Sequence, residues 1–141
     1  EVVLEALRRG SREAVDEYVG RLGRYAKVEE VEVKEGAHRV VAPALLQALR
    51  GPRVHIVALT IDGRKRTSEE LASWLARLER DAVELAFVIG GADGLPPEVV
   101  AAAHETLSLS TMTLPHRLAR LVLVEQLYRA MTIRKGEPYH H

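Results

Sequence analysis

Three glycines stand behind a short apolar run in Ile89-Gly90-Gly91-Ala92-Asp93-Gly94. Glycine lets a backbone approach a ligand closely and take a positive φ, which suits a cofactor loop and a plain tight turn equally. The spacing is G-G-x-x-G, neither the dinucleotide fingerprint G-x-G-x-x-G nor a phosphate loop ending in Gly-Lys-Ser/Thr. A nicotinamide-dependent oxidoreductase would rest on these glycines alone. His38, His55, His104 and His116 are scattered, and no H-x-x-x-H pair occurs, so no metal site is expected. His55 lies in an apolar run and reads as a satisfied core or edge residue. No G-x-S-x-G elbow marks a serine nucleophile. Glu125 and Arg129 are spaced to face each other across one helical turn. On a helix with so little polar surface, such a pair is costly to bury unless each partner is satisfied. It reads as an ion pair at a helix edge or subunit contact, or as an arginine aimed at an anionic substrate such as RNA phosphate.

Alternating strands and helices must hold these residues. Val2–Leu7 reads as a short strand, Arg8–Gly10 as a loop and Ser11 as the N-cap of an amphipathic helix reaching Tyr25. The alternative is one helix over residues 1–22, broken at Gly10. Val28, Val31 and Val33 predict a strand ended by Gly36. Pro43 is placed in the first turn of a helix that Gly51 and Pro52 end. Val54–Ile61 is a near-continuous apolar run, as in parallel strands covered on both faces, and Asp62-Gly63 signals a turn. Thr67 with Glu70 forms a capping box before a helix striped by Leu71, Trp74, Leu75 and Leu78. Leu85–Ile89 predicts a second buried strand, and Pro97 opens a short helix through Ala103. Leu107 starts the last strand; its apolar–polar alternation slips by one residue at Thr111, where the chain is expected to leave the strand. Pro115 keeps Leu114 extended. The helix after it is apolar almost all round, from Leu118 to Met131, and needs cover on two sides. The order predicts a single α/β domain with a mostly parallel sheet flanked by helices. Ligands of such sheets sit beyond the carboxyl ends of the strands, which singles out the loops 60–66, 90–96 and 110–117.

The bulk numbers narrow the class. A chain of 141 residues is the size of one domain and buries a core without staples. Cysteine is absent, which removes disulfides and thiol chemistry and fits a reducing cytoplasm. No apolar run reaches membrane-spanning length. Formal net charge is zero, which argues against a broad basic field for nucleic acid. Local clusters remain at Arg8, Arg9 and Arg12, at Arg21, Arg24 and Lys27, and at Arg64, Lys65 and Arg66, and each also reads as solvated surface.

Several segments together carry a resemblance. Leu59-Thr60-Ile61-Asp62-Gly63-Arg64, Val88 through Leu95, Leu107 through His116, Glu125-Gln126-Leu127-Tyr128-Arg129-Ala130 and Pro138-Tyr139-His140 resemble the RlmH family, as do Glu17-Tyr18, Arg21-Leu22 and Tyr25-Ala26-Lys27. These are SPOUT-class methyltransferases of a pseudouridine in large-subunit ribosomal RNA. The resemblance covers nearly the whole chain.

It implies a fold that periodicity does not: a SPOUT-type sheet with a C-terminal trefoil knot, a rare exception to the usual topology. It implies a cytoplasmic homodimer, with the far side of the last helix against a second subunit and the near side against its own sheet. The donor would be S-adenosyl-L-methionine, held by Leu59, Gly91, Ser110, Thr111, Met112, Thr113, Leu114 and Pro115, with Leu59, Leu109, Met112 and Leu114 about the adenine. The acceptor would be N3 of a pseudouridine in 23S ribosomal RNA of the assembled ribosome. His140, Tyr139, Arg129, His116 and Glu125 are the family-matched residues for the acceptor side: His140 the first candidate for taking the N3 proton, Tyr139 and Arg129 orienting the base or binding phosphate, Glu125 orienting Arg129. No metal and no membrane are implied. The chain departs from the family pattern at Thr60, usually Asp, at Ala92-Asp93, commonly Pro-Glu, and at Leu7-Arg8-Arg9-Gly10, where Val-Gly-Lys is usual. The altered N-terminal segment motivates the alternative of a non-catalytic ribosome- or RNA-binding module on the same fold.

Overall fold

The computed structural model describes residues 2–51, 53–91 and 93–140, with side chains from residue 12 onward. Pro52 and Ala92, each part of an expectation above, lie outside them, as does the side chain of Ser11. The elements run α1 (Val2–Leu22), α2 (His38–Ala48), β1 (Val54–Lys65), α3 (Ser68–Arg80), β2 (Glu84–Val88), α4 (Pro97–Ala102), β3 (Glu105–Ser108) and α5 (His116–Lys135). The chain belongs to the α/β class. Its three strands form one sheet in the order β2-β1-β3, and both pairings are parallel. Contacts divide the chain into two compact units. One holds Glu30–Lys65 and Leu78–Thr113; the other collects the chain up to Glu29, Arg66–Arg77 and the chain from Leu114 onward.

The sheet unit is organised by β1. Val57 and Ala58 are adjacent, point to opposite faces and are both fully buried, so the strand is covered on both sides. Ile56 of β1, Val88 of β2, Ala42 of α2 and Val99 of α4 form one buried cluster, backed by Leu45, Leu46, Leu49 and Leu95. Burying a valine such as Val57 or Val99 completely contributes about 1.5–3 kcal/mol. The pairing of β1 with β3 is interrupted once. Leu107 is the partner of Leu59 and again of Arg64, so Thr60–Gly63 loop out and the strand returns to the same neighbour. The expected Asp62-Gly63 turn is therefore an irregularity within a continuing strand. Gly63 is required there: a Cβ on it would lie 2.9 Å from the backbone N and C of Leu107.

The second unit is helical. α1 packs on α5, and the four tyrosines of the chain gather there. Tyr128 of α5 has Tyr139 edge-on at 4.7 Å, Tyr18 at 5.9 Å and Tyr25 at 6.2 Å. Thr67 and Glu70 form the expected capping box at the start of α3, with Glu70 N–H donating to Thr67 Oγ1 at 3.1 Å and Thr67 N–H to Glu70 Oε1 at 3.0 Å.

Five expectations are corrected. Val2–Leu7 is not a strand: the chain follows the alternative of one long helix, and α1 runs unbroken through Gly10 and Ser11, so no helix begins at Ser11. Summed propensity and tertiary cover outweigh the roughly 1 kcal/mol that a helical glycine costs. Residues 27–37 carry no strand; four glutamates crowd the segment, and Val31, 65% exposed, has no apolar face to join. α2 starts at His38, so Pro43 lies inside it rather than in its first turn. β3 begins two residues earlier than expected and ends at Ser108, before the phase slip at Thr111. No helix among the described residues is long and apolar enough to cross a membrane.

Candidate donor loops and acceptor cluster

In the sheet unit, the Thr60–Gly63 loop-out of β1 and the loop after β3 are tied by one buried side chain. The Ser108 hydroxyl lies 2.9 Å from the carbonyl of Ile61 and 3.0 Å from that of Ser110, sharing its single proton between them. Beyond it the loop turns on Ser110, whose Oγ accepts from the Met112 N–H at 3.0 Å. Thr111, Met112 and Thr113 are exposed, Met112 at 75%. Leu59 is half-buried at the point where β1 loops out. Next to it, the Thr60 hydroxyl is shielded from solvent and has no hydrogen-bond partner. A buried polar atom without a partner costs about 1–3 kcal/mol.

The glycine loop after β2 is a tight turn. Gly94 takes φ 72° and donates its N–H to the Gly91 carbonyl at 3.0 Å. Gly90 packs on the turn itself, since a Cβ would come within 2.5 Å of the Gly94 carbonyl carbon. Gly91 is exposed and meets only the mobile end of a side chain: a Cβ there would lie 2.6 Å from Glu35 Oε1. His38 Nε2 donates to the Asp93 carbonyl at 3.1 Å and steadies the turn. Gly90 and Gly94 thus build the turn, and at Gly91 the place of a side chain is taken by the end of the Glu35 carboxylate.

The remaining residues expected to hold the donor, Leu114 and Pro115, belong to the helical unit, Leu114 half-buried and Pro115 exposed at the N-cap of α5. That unit also holds the residues expected on the acceptor side. Glu125 and Arg129 lie one turn apart on α5. Arg129 donates through Nε at 3.0 Å and Nη2 at 2.7 Å to Glu125 Oε1. The other carboxylate oxygen accepts from Gln126 Nε2 at 3.0 Å, and Gln126 in turn accepts from the Ser68 hydroxyl at 2.7 Å. The end of α5 brings the tail back. Gly136 takes φ 68°, its N–H reaches the Ile133 carbonyl and the Glu137 N–H the Thr132 carbonyl, the reciprocal pattern of a Schellman stop. The chain reverses, and Tyr139 and His140 fall back on α5.

Their hydrogen bonds have a definite direction. The Tyr139 hydroxyl donates to Glu125 Oε1 at 3.0 Å, so at 3.0 Å from the Tyr18 hydroxyl it must accept. Burial, then the bonds with Tyr18 and Glu125, push the Tyr139 phenol well above its ordinary 10.0. Arg129 is held more firmly charged by its bonds to Glu125, and its guanidinium lies 4.9 Å over the Tyr139 ring. Arg129 Nη1 is 3.1 Å from His140 Nδ1. Arginine only donates, so Nδ1 is the acceptor and the ring proton sits on Nε2, 2.7 Å from Glu69 Oε1 on α3. That bond holds the Glu69 carboxyl below its ordinary 4.5.

Of the five acceptor-side residues, Glu125, Arg129, Tyr139 and His140 therefore converge. His116 does not. It is exposed in the first turn of α5, nine residues or about 13 Å of helix before Glu125. Glu69, which was not singled out beforehand, and Tyr18, quoted above only as part of the family resemblance and given no role, complete the cluster. Glu69 reads in sequence as an acid at a helix N-terminus, Tyr18 as part of an apolar stripe. Among the described residues no three His, Asp or Glu come together as a metal site.

The family model described as "Predicted SPOUT methyltransferase" matches residues 2–140. Proteins named ribosomal RNA large subunit methyltransferase H are close relatives in sequence. That of Sorangium cellulosum is 50% identical over 92% of this chain and 89% of its own. That of Anaeromyxobacter dehalogenans is 52% identical over 90% and 88%. That of Exiguobacterium sibiricum, at 42%, covers 92% and 89%. The chain belongs to the SPOUT methyltransferase family. As a methyltransferase it requires a methyl donor. The residues at the carboxyl ends of the strands fit one that is part flat and apolar, part polar: Leu59 and the exposed Met112 supply apolar contact, the unpartnered Thr60 hydroxyl a polar one, and Gly91 a backbone with no side chain of its own, beside the flexible end of Glu35.

Proposed function

We propose that the chain methylates N3 of a pseudouridine in 23S ribosomal RNA of the assembled ribosome, with S-adenosyl-L-methionine as donor. The observation that carries this is the 50% identity, over nearly its whole length, to a relative named for large-subunit ribosomal RNA methylation. The geometry supports it from both ends of the reaction. Leu59, Gly91 and the loop Ser110–Thr113 hold the donor, which supplies an electrophilic methyl group on a sulfonium. Ser108 keeps the Thr60–Gly63 loop-out of β1 and the loop after β3 at a fixed spacing, so these residues are positioned before binding.

Acceptor N3 carries a proton that must leave. Arg129 has no lone pair to receive it. Tyr139 keeps its own proton, committed to Glu125. The Glu125 carboxylate is filled by its own donors and Glu69 accepts from His140 Nε2, so the base assigned here is His140, whose Nδ1 lone pair faces Arg129. Arg129 offers phosphate a planar cation already aligned by Glu125. The active form is a homodimer; Leu118, 40% exposed, and the half-buried Leu121 and Val122 of α5 give a second copy an apolar surface.

The deciding experiment incubates ribosomes lacking the modification with protein and S-adenosyl-L-methionine and measures the pseudouridine-containing fragment by mass spectrometry. The expected gain is one methyl group, and an unchanged mass rejects the activity. Light scattering at micromolar concentration is expected to give the dimer mass; monomer alone rejects that part.

A further inference from the structure

We propose that Glu69 is a positioning residue for the acceptor chemistry: it accepts the hydrogen bond of His140 Nε2–H and so fixes the ring tautomer in which Nδ1 is the bare, proton-accepting nitrogen. The proposal rests on the methyl-transfer reading above and adds a residue from a different helix, α3, to its machinery.

Two contacts determine the tautomer together. Arg129 Nη1, 3.1 Å from Nδ1, can only donate. Glu69 Oε1, 2.7 Å from Nε2, can only accept while ionised. The opposite tautomer would set N–H against N–H at one nitrogen and lone pair against carboxylate at the other. Glu69 is suited to remain ionised, because it lies in the first turn of α3, where the helix N-terminus favours an anion. The capping box of Thr67 and Glu70 holds that turn in place. The arrangement parallels the carboxylate–imidazole pair that orients a general base in acyl transfer, with the ring nitrogens in opposite roles.

In the free protein Arg129 covers Nδ1. When its Nη1–H turns to a substrate phosphate, the lone pair is released toward the acceptor. The N3–H bond then breaks and an Nδ1–H bond forms, leaving the pair on N3 for the new N–CH3 bond, while the old methyl–sulfur pair stays with sulfur. Positive charge passes from the sulfonium to the imidazole, and Glu69 faces it at the other nitrogen. The carboxylate is 64% exposed, so water shares this work.

The test reads tautomer and rate separately. Nitrogen-15 NMR of the histidine rings, with His140 assigned by its absence in His140→Asn, is expected to show a pyridine-type Nδ1 and a pyrrole-type Nε2. Glu69→Ala and Glu69→Gln are expected to mix the tautomers and lower kcat about tenfold, less than the roughly 10²–10⁴ of a general base itself, because the carboxylate acts through His140 and is solvated. Glu69→Asp recovers part of both, and calorimetric affinity for S-adenosyl-L-methionine stays unchanged. A wild-type ring protonated on Nδ1, or an active enzyme whose kcat is indifferent to Glu69→Ala, overturns the proposal alone. A wild-type protein that methylates no ribosome overturns the functional reading and this role with it.

Discussion

Replacing Tyr139 by Phe tests the directed hydrogen-bond chain in the helical unit. The ring keeps its packing against Tyr128 at 4.7 Å and beneath Arg129 at 4.9 Å, so the change is confined to the hydroxyl. Two bonds are lost: the one donated to the Glu125 carboxylate and the one accepted from Tyr18. A neutral hydrogen bond contributes about 0.5–1.5 kcal/mol and one to a charged group about 1.5–3 kcal/mol. The site is half-buried, and water replaces part of what is removed, so the expected loss is about 1.5–2.5 kcal/mol. Tyr18→Phe removes only the shared bond and is expected to cost about 0.5–1.5 kcal/mol. Because that bond is counted in both variants, the double mutant should be less destabilised than the sum by about 0.5–1.5 kcal/mol. Urea unfolding of all four proteins at one fixed concentration measures this. Strict additivity, or a Tyr18→Phe cost equal to that of Tyr139→Phe, refutes the chain of donors. Tyr139→Phe should still methylate within about tenfold of wild type, since a lost proton acceptor would cost about 10²–10⁴; abolition without unfolding refutes the assignment of Tyr139 as a donor.

Raised tyrosine ionisation gives a pH signature. Burial and bonding lift the Tyr139 phenol, and the bond to Glu137 lifts Tyr25. The fold therefore favours the protonated forms. That stability is complete below the ordinary 10.0 and is lost as pH rises through the elevated values, so unfolding free energy against pH should fall less steeply above 10 in Tyr139→Phe. Thr60→Val should move stability and binding in opposite directions: removing a partnerless buried hydroxyl is neutral or stabilises the free protein by up to about 1 kcal/mol, while calorimetry records weaker S-adenosyl-L-methionine binding. Equal affinity would dismiss Thr60 as a donor contact. Gly63→Ala sets a methyl 2.9 Å from the Leu107 backbone and should cost about 1–3 kcal/mol or more in chemical unfolding; a neutral result would show that the loop out of β1 relaxes freely.

Strong local signals carried through to the fold. The apolar run at Val54 became the central strand, and the Thr67–Glu70 capping box opened α3 at the expected residue. These segments need only their own sequence to choose a conformation. The failures lie where tertiary partners decide. Val28, Val31 and Val33 have strand residues but no strand beside them, and Val2–Leu7 continues a helix that packs against α5. Gly63 looked like a turn and is instead a place where two backbones touch, which needs the position of Leu107 to be known. The acceptor cluster joins α1, α3, α5 and the tail. Its far-separated members Tyr18 and Glu69 carried no site signal of their own: Tyr18 was part of an apolar stripe and of the family resemblance, Glu69 a helix-start acid.

The spacing of Glu125 and Arg129 was consistent with a structural ion pair and with a substrate clamp. The hydrogen bonds make the two compatible. Glu125 is saturated from within, one oxygen accepting from Arg129 Nε, Arg129 Nη2 and Tyr139, the other from Gln126. It has no need of a partner subunit to justify its burial. A guanidinium has five N–H groups; Arg129 commits three of them, two to Glu125 and one to His140. Two N–H groups remain for an anion while the pair stays intact, and the side chain is 25% exposed. The internal pair therefore aligns the arginine without consuming it, and the contact it can most cheaply exchange for phosphate is the long one to His140, whose release frees the nitrogen that the chemistry needs.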